Sequence, residues 1–319
     1  MKYKLPILFL ILGGSWMLLE STNLLPRLSS FARAPVSEKQ EKIGKVEKKS
    51  GEEVPSAATP DPQQLVWEAA QQLIQEEVLQ ANIQQRINLY GQQLVGTGQY
   101  RHFGRGDNKR LRLELKLQAA GQLTSLTQVS DGRHLWTREN LSRGTVLSRI
   151  DLRRVRTALE QSASGEADKV EPSLQNWVVM GGLPRLLSSL HAQFQFDSVV
   201  PSQLSSTPVW EVEGHWKAEV LQRMKQRFAG QGGELPPHLP DSVKLVLGRD
   251  KIFPLFPYEV QYLRESGSGQ AVPIVTLQLR QVTRRVQMDN SQFEYQRGDQ
   301  TVIDRTDAFL QQVGLGNGG

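Results

Sequence analysis

Between Leu111 and Leu117 every second residue is leucine, and Arg112, Glu114 and Lys116 fill the places between them. An extended chain points successive side chains to opposite faces, so this run lays an apolar row on one side of a strand and charge on the other. That apolar side has to be covered, by a core or by an apolar guest. Leu123 to Val129 is a second β-rich run, followed by Ser130-Asp131-Gly132-Arg133 and then Leu135 and Trp136. Asp-Gly between two such runs is a hairpin signal. These residues predict a curved antiparallel sheet with one greasy face.

The N-terminus has a different character. Lys2 and Lys4 lead into an apolar run over 5–19 broken only by Pro6, Gly13, Gly14 and Ser15, the pattern of an export signal. At about 15 residues the run is shorter than the roughly 20 needed to span a bilayer. Ala32-Arg33-Ala34 fits a small-x-small cleavage site but lies well downstream, so 1–34 reads as a signal peptide or an uncleaved membrane anchor. Residues 35–62 are dominated by Glu, Lys, Ser, Ala and Pro and read as a disordered linker. The folded domain is expected over 63–314, with 315–319 a frayed tail. The implied location is exported and periplasmic, either soluble or tethered to the inner membrane.

From Pro62 onward Leu65, Val66, Trp67, Ala69, Ala70, Leu73, Ile74, Val78 and Leu79 follow a helical spacing, which predicts one long amphipathic helix fraying near 82–88. Strands are expected over 93–103, 110–118, 123–129, 134–138 and 145–151, with Gly96 and Gly98 marking a bulge or sharp bend in the first. The pattern then turns helical over 152–161, 174–190 and 217–228, with one strand over 208–216, so 152–230 reads as a helical insertion. Gly181-Gly182-Leu183-Pro184 interrupts its second helix. Strands are expected again over 242–247, 258–264, 274–285 and 292–296, and a closing helix over 304–313. The fold class is α+β, a sheet of about seven to eleven strands forming an incomplete β-barrel, with helices covering its concave face.

Catalytic chemistry has no constellation behind it. The 319 residues contain no cysteine, which removes disulfides, thiol nucleophiles and cysteine metal sites. The histidines at 102, 134, 191, 215 and 238 lack metal-motif spacing, and no Gly-x-Ser-x-Gly elbow is present. The run from Gly96 to Arg101 lacks the third glycine of a dinucleotide loop. Asp304 and Asp307 read as helix-start residues rather than an acid pair. Of the formal charge of +5, Lys2, Lys4, Arg27 and Arg33 against Glu20 account for +3, leaving too small a surplus for a nucleic-acid partner. No catalytic residue, metal site or cofactor is expected. What remains is the leucine row, the apolar residues from Trp177 to Leu187 around a Gly-Gly break that permits hinge motion, and Trp136 as an anchor.

Val129-Ser130-Asp131-Gly132-Arg133-His134-Leu135-Trp136 resembles the Val-Ser-Asp-Gly-Lys-x-Leu-Trp segment of the periplasmic lipoprotein carrier LolA and its LolB-like relatives. Its surroundings follow the same order: an N-terminal helix, a strand around Tyr100, the leucine strand and then this hairpin. Val246 to Asp250 resembles the family's penultimate hairpin. Phe293-Glu294-Tyr295 with Thr301 to Asp304 resembles its closing strand and C-terminal turn. The similarity covers 64–138 and 240–307, whereas 152–230 departs from the compact family pattern. The resemblance implies an apolar half-barrel that holds acyl chains of a lipid or lipoprotein, without enzymatic chemistry, and exchanges them with a membrane-bound donor or acceptor protein. On that reading Leu113, Leu115, Leu117 and Trp136 line the cavity. Tyr100 and Arg101 bracket its mouth, and Leu183, Leu186 and Leu187 cover it. The alternative is a membrane-tethered envelope sensor or interaction module on the same fold, with no lipid cargo.

Overall fold

Twelve strands form one sheet that curls without closing, built outward from the leucine strand in both directions. The computed structural model describes residues 59–89, 92–106, 109–119, 122–141, 144–163, 177–228, 239–267 and 269–315. The expected signal or anchor and nearly all of the linker lie outside these residues. In chain order the strands are β1 (Val78–Leu89), β2 (Gln92–Phe103), β3 (Arg110–Ala119), β4 (Gln122–Ser130), β5 (His134–Leu141), β6 (Gly144–Asp151), β7 (Phe194–Leu204), β8 (Thr207–Trp216), β9 (Ser242–Gly248), β10 (Pro257–Glu265), β11 (Ala271–Thr283) and β12 (Val302–Asp304). The sheet order is β12-β6-β5-β4-β3-β2-β1-β11-β10-β9-β8-β7. Every pairing is antiparallel except β12 on β6. The helices are α1 (Pro62–Gln75), α2 (Leu152–Ala163), α3 (Trp177–Met180), α4 (Leu183–Gln193), α5 (Ala218–Phe228) and α6 (Thr306–Gln312).

Local chemistry accounts for where α1 starts and stops. Asp61 caps it by accepting the Gln63 N–H at 3.0 Å, and Pro62 occupies the first turn, where no hydrogen bond is lost. It buries Leu65, Val66, Ala69, Ala70 and Leu73 and packs on α4. The sequence predicts that this helix runs through Leu79; it ends at Gln75. From Val78 the chain is a strand in which Leu79, Ala81, Ile83 and Ile87 face the core at period two. Leu79 satisfies both patterns, and pairing with β2 and β11 on either side decides between them.

Three other expectations change. The insertion 152–230 is not wholly helical: β7, unforeseen, forms a hairpin with β8 that extends the sheet to its far edge. Pro201 sits in that edge strand, where a missing N–H is tolerated. The strand expected over 292–296 is instead a 3-10 turn, Asn290–Phe293, followed by irregular chain. The closing helix begins only at Thr306, because 302–304 is spent on β12. Twelve strands also exceed the seven to eleven expected.

The glycines of β2 produce no bulge, since pairing with β1 and β3 is in unbroken register through them. Leu115 and Leu117 stand opposite Gly98 and Gly96. A Cβ on Gly98 would lie inside the Glu114 carbonyl and 2.9 Å from the Leu115 Cα, so the strands approach too closely there for any side chain.

Candidate functional site

The face that helices cover is a single apolar cluster. Leu113, Leu115 and Leu117 are at most 4 % exposed, and Tyr100, Leu183, Leu186 and Leu187 belong to the same cluster. The structure therefore brings seven of the nine sequence-chosen residues together. Arg101 and Trp136 are not among them. Each follows a core-facing neighbour, Tyr100 or Leu135, so the pleat turns it to the outer face. Arg101 donates to the Gln99 side chain, and Trp136 stacks on Tyr295 with ring centroids 5.7 Å apart. Nearby Phe103 stacks on Phe293 at 6.0 Å, and Phe293 is buried with Val129 and Met288 in a separate outer-face patch.

The α3–α4 junction seats directly on the sheet. Gly181 and Gly182 have φ of 123° and 80°, which glycine adopts without strain. A Cβ on Gly182 would press on the Tyr100 hydroxyl and lie 3.1 Å from a Leu111 methyl. The Trp177 ring lies 5.7 Å from Tyr100, and the Leu183 N–H donates to the Tyr100 hydroxyl at 3.4 Å. The far end of α4 is tied through Gln63, whose amide donates to the His191 carbonyl at 3.1 Å and accepts the Phe196 N–H at 2.8 Å.

A buried polar chain runs from Tyr100 to the end of α1. His102 Nε2 lies 3.1 Å from the Glu76 carbonyl, which can only accept, so this nitrogen carries the proton. Nδ1 is then an acceptor and takes the Tyr100 hydroxyl proton at 3.3 Å. Burial, with the neighbouring Lys109 charge adding to it, lowers the His102 pKa to about 3 and keeps the ring neutral. Burial also pushes the Tyr100 hydroxyl above its ordinary value. Lys109 Nζ donates to the carbonyls of Leu73 and Glu76 at 3.0 and 3.1 Å, capping α1, and burial lowers its pKa to about 8. Sequence reasoning placed Tyr100 but missed His102 and Lys109, which carry no motif.

Two cavities open on the described surface. One, of about 960 Å³, is a cleft between α2 and α6 with Ala158, Leu310 and Leu315 inside it. These three belong to or pack against the same apolar cluster as the leucine row. Arg154 of α2 and Asp307 of α6 form an ion pair across it at 2.6 Å. Asp151 is held below the usual carboxylate range: burial alone would raise it, and the Arg154 and Arg153 backbone N–H groups outweigh that. The other, of about 680 Å³, runs along the register row Ile83, Gly98, Leu115 and Leu126 and is walled by polar side chains of the neighbouring positions. Among the described residues no three His, Asp or Glu side chains converge as a metal site, and no helix is long and apolar enough to cross a membrane.

No protein-family model matches the chain, and no curated protein matches it. Solved structures similar to it include MucB in its complex with MucA from Pseudomonas aeruginosa, at TM-score 0.37 and 17 % identity over 74 % of this chain and 62 % of that one. LprF from Mycobacterium bovis is similar at TM-score 0.37 and 12 % identity, over 72 % of this chain and 97 % of that one. A putative outer membrane lipoprotein-sorting protein domain from Vibrio parahaemolyticus gives TM-score 0.29 and 8 % identity, over 71 % and 95 %. The chain thus spans less than two thirds of the MucB chain it matches. An N-terminal helix, a curled unclosed antiparallel sheet and helices over its concave face make this an α+β incomplete barrel, and its likeness to these structures is one of fold alone.

Proposed function

We propose that this chain is an exported, non-enzymatic envelope protein that binds acyl chains of a lipid or lipoprotein between the leucine row and the α3–α4 segment, as a periplasmic carrier. The observation that carries the reading is that the segment meets the sheet through apolar contact at its Gly181–Gly182 turn, while its hydrogen-bonded ties to Gln63 and Lys217 lie at the far end of α4. It lies on an unbroken apolar floor, it pivots at two glycines, and the Tyr100 hydroxyl supplies the polar contact at the pivot. Lifting α3–α4 exposes a floor on which each buried methylene contributes about 0.8 kcal/mol, so one acyl chain can replace the helix contacts it displaces.

A second reading, an interaction module with no lipid cargo, draws support from the close filling of the same face, where Leu183 and Leu187 are fully buried. Native mass spectrometry of the purified protein, together with titration of a fluorescent fatty acid, separates the two. A co-purifying lipid and saturable one-to-one probe binding are expected for the carrier. A lipid-free protein that binds no probe leaves the interaction module.

A further inference from the structure

We propose that the cleft between α2 and α6 is the mouth of the acyl site, and that it takes a single-chain amphiphile with an anionic head. This rests on the acyl-binding reading above and adds to it the entry point and the head-group chemistry. The cleft's volume of about 960 Å³ lies within the range of small-molecule sites, roughly 300–1,000 Å³. Its inner wall is Ala158, Leu310 and Leu315, which belong to or pack against the apolar cluster that also holds the leucine row, so the cleft backs onto that cluster.

The rim is built for a negative head. Both acidic groups of the cleft are engaged: Asp151 accepts the Arg153 N–H at 2.9 Å, and Asp307 pairs with Arg154. Arg153 is exposed at the same rim, and its guanidinium has the fork geometry that carboxylate and phosphate fit. The Arg154–Asp307 pair is itself largely in solvent, at 54 % and 75 % exposure, where ion pairs hold weakly. An incoming head group can therefore take Arg154 from Asp307 and let the two helices part.

The test is displacement of a fluorescent fatty acid from the full chain by palmitate and by hexadecanol, which share a chain and differ in head charge. In the wild type palmitate should compete about tenfold better, the scale of one charge-assisted hydrogen bond. Reversing the rim with Arg153→Glu and Arg154→Glu should erase that preference and leave hexadecanol unchanged. Gln311→Trp, at an exposed position lining the cleft, should weaken both competitors. Circular dichroism melting checks the fold of each variant, and Arg153→Gln with Arg154→Gln repeats the rim test without introduced acids. Equal competition by the two ligands in the wild type, or variants that keep the wild-type preference, would overturn the mouth while leaving acyl binding intact. A wild type that binds no probe removes acyl binding and the mouth together.

Discussion

The two faces of the sheet are made by the same strands and are closed in opposite ways. On the concave face the leucine row, Tyr100 and the inward residues of β1 and β9–β11 meet helices joined by a turn at Gly181 and Gly182. On the outer face an aromatic patch is sealed by the chain between β11 and β12, which lays Phe293 on Phe103 and Tyr295 on Trp136. Arg112 anchors that chain by donating to the Gln292 carbonyl at 3.0 Å. Alternation alone therefore does not tell which apolar residues hold the fold and which wait for a guest. On the proposed function the kind of cover does: ring stacking over strands fixes one patch, and a helix on a glycine pivot leaves the other able to open.

The close approach of β2 and β3 at Gly98 is the most sensitive point of the sheet. Gly98→Val puts a branched side chain into the Glu114 carbonyl, and the domain is expected to lose its cooperative melt altogether. A folded Gly98→Val protein would mean that β2 and β3 need not approach so closely there.

Next come the two covers themselves. Phe293→Ala on the outer face should cost about 3–5 kcal/mol, and Leu113→Ala on the concave face about 2–5 kcal/mol, read by urea titration. A Phe293→Ala cost below about 1 kcal/mol would show the outer cover to be ornamental, and the contrast between the faces would collapse.

Acid should weaken the concave side through His102. Its ring titrates at about 6.5 when unfolded and at about 3 when folded. Between those values the unfolded chain holds the extra proton, so stability fully present above pH 6.5 is lost as the pH falls toward 3. Melts from pH 7 to 4.5 should fall more steeply for the wild type than for His102→Gln; parallel curves would sever the polar chain from stability. At neutral pH, Tyr100→Phe should cost about 1 kcal/mol by leaving the Leu183 N–H without its acceptor. The smallest effect belongs to the outer polar wall, where Thr97→Ala should shift stability by about 0.5 kcal/mol or less; a larger loss would mark the groove as structural.

Much of this was legible in the amino-acid order. Strands β2 to β6 follow from period-two leucines and the Asp131-Gly132 turn, and the apolar cover follows from the Gly-Gly-x-Pro break. The end of α1 was not, because Val78 and Leu79 continue the helical spacing of Ile74 while also starting a strand. Strand β7 was hidden by Pro201 and by solvent-facing Val200, which at an edge need no pattern. The outer patch and the cleft are long-range products. Phe103 and Phe293 stack across nearly two hundred residues, and α2 meets α6 because three residues of β12 pair in parallel with β6. No local periodicity encodes either meeting.

The most direct measurement is the rate at which a fluorescent fatty acid enters the folded protein, followed by stopped-flow in the wild type and in Tyr100→Phe. If α3–α4 is a cover that lifts from the leucine row, uptake is saturable and the variant, freed of its hydroxyl contact, loads about fivefold faster. No uptake in either protein, or identical rates in both, would contradict an opening cover and leave the concave face an ordinary core.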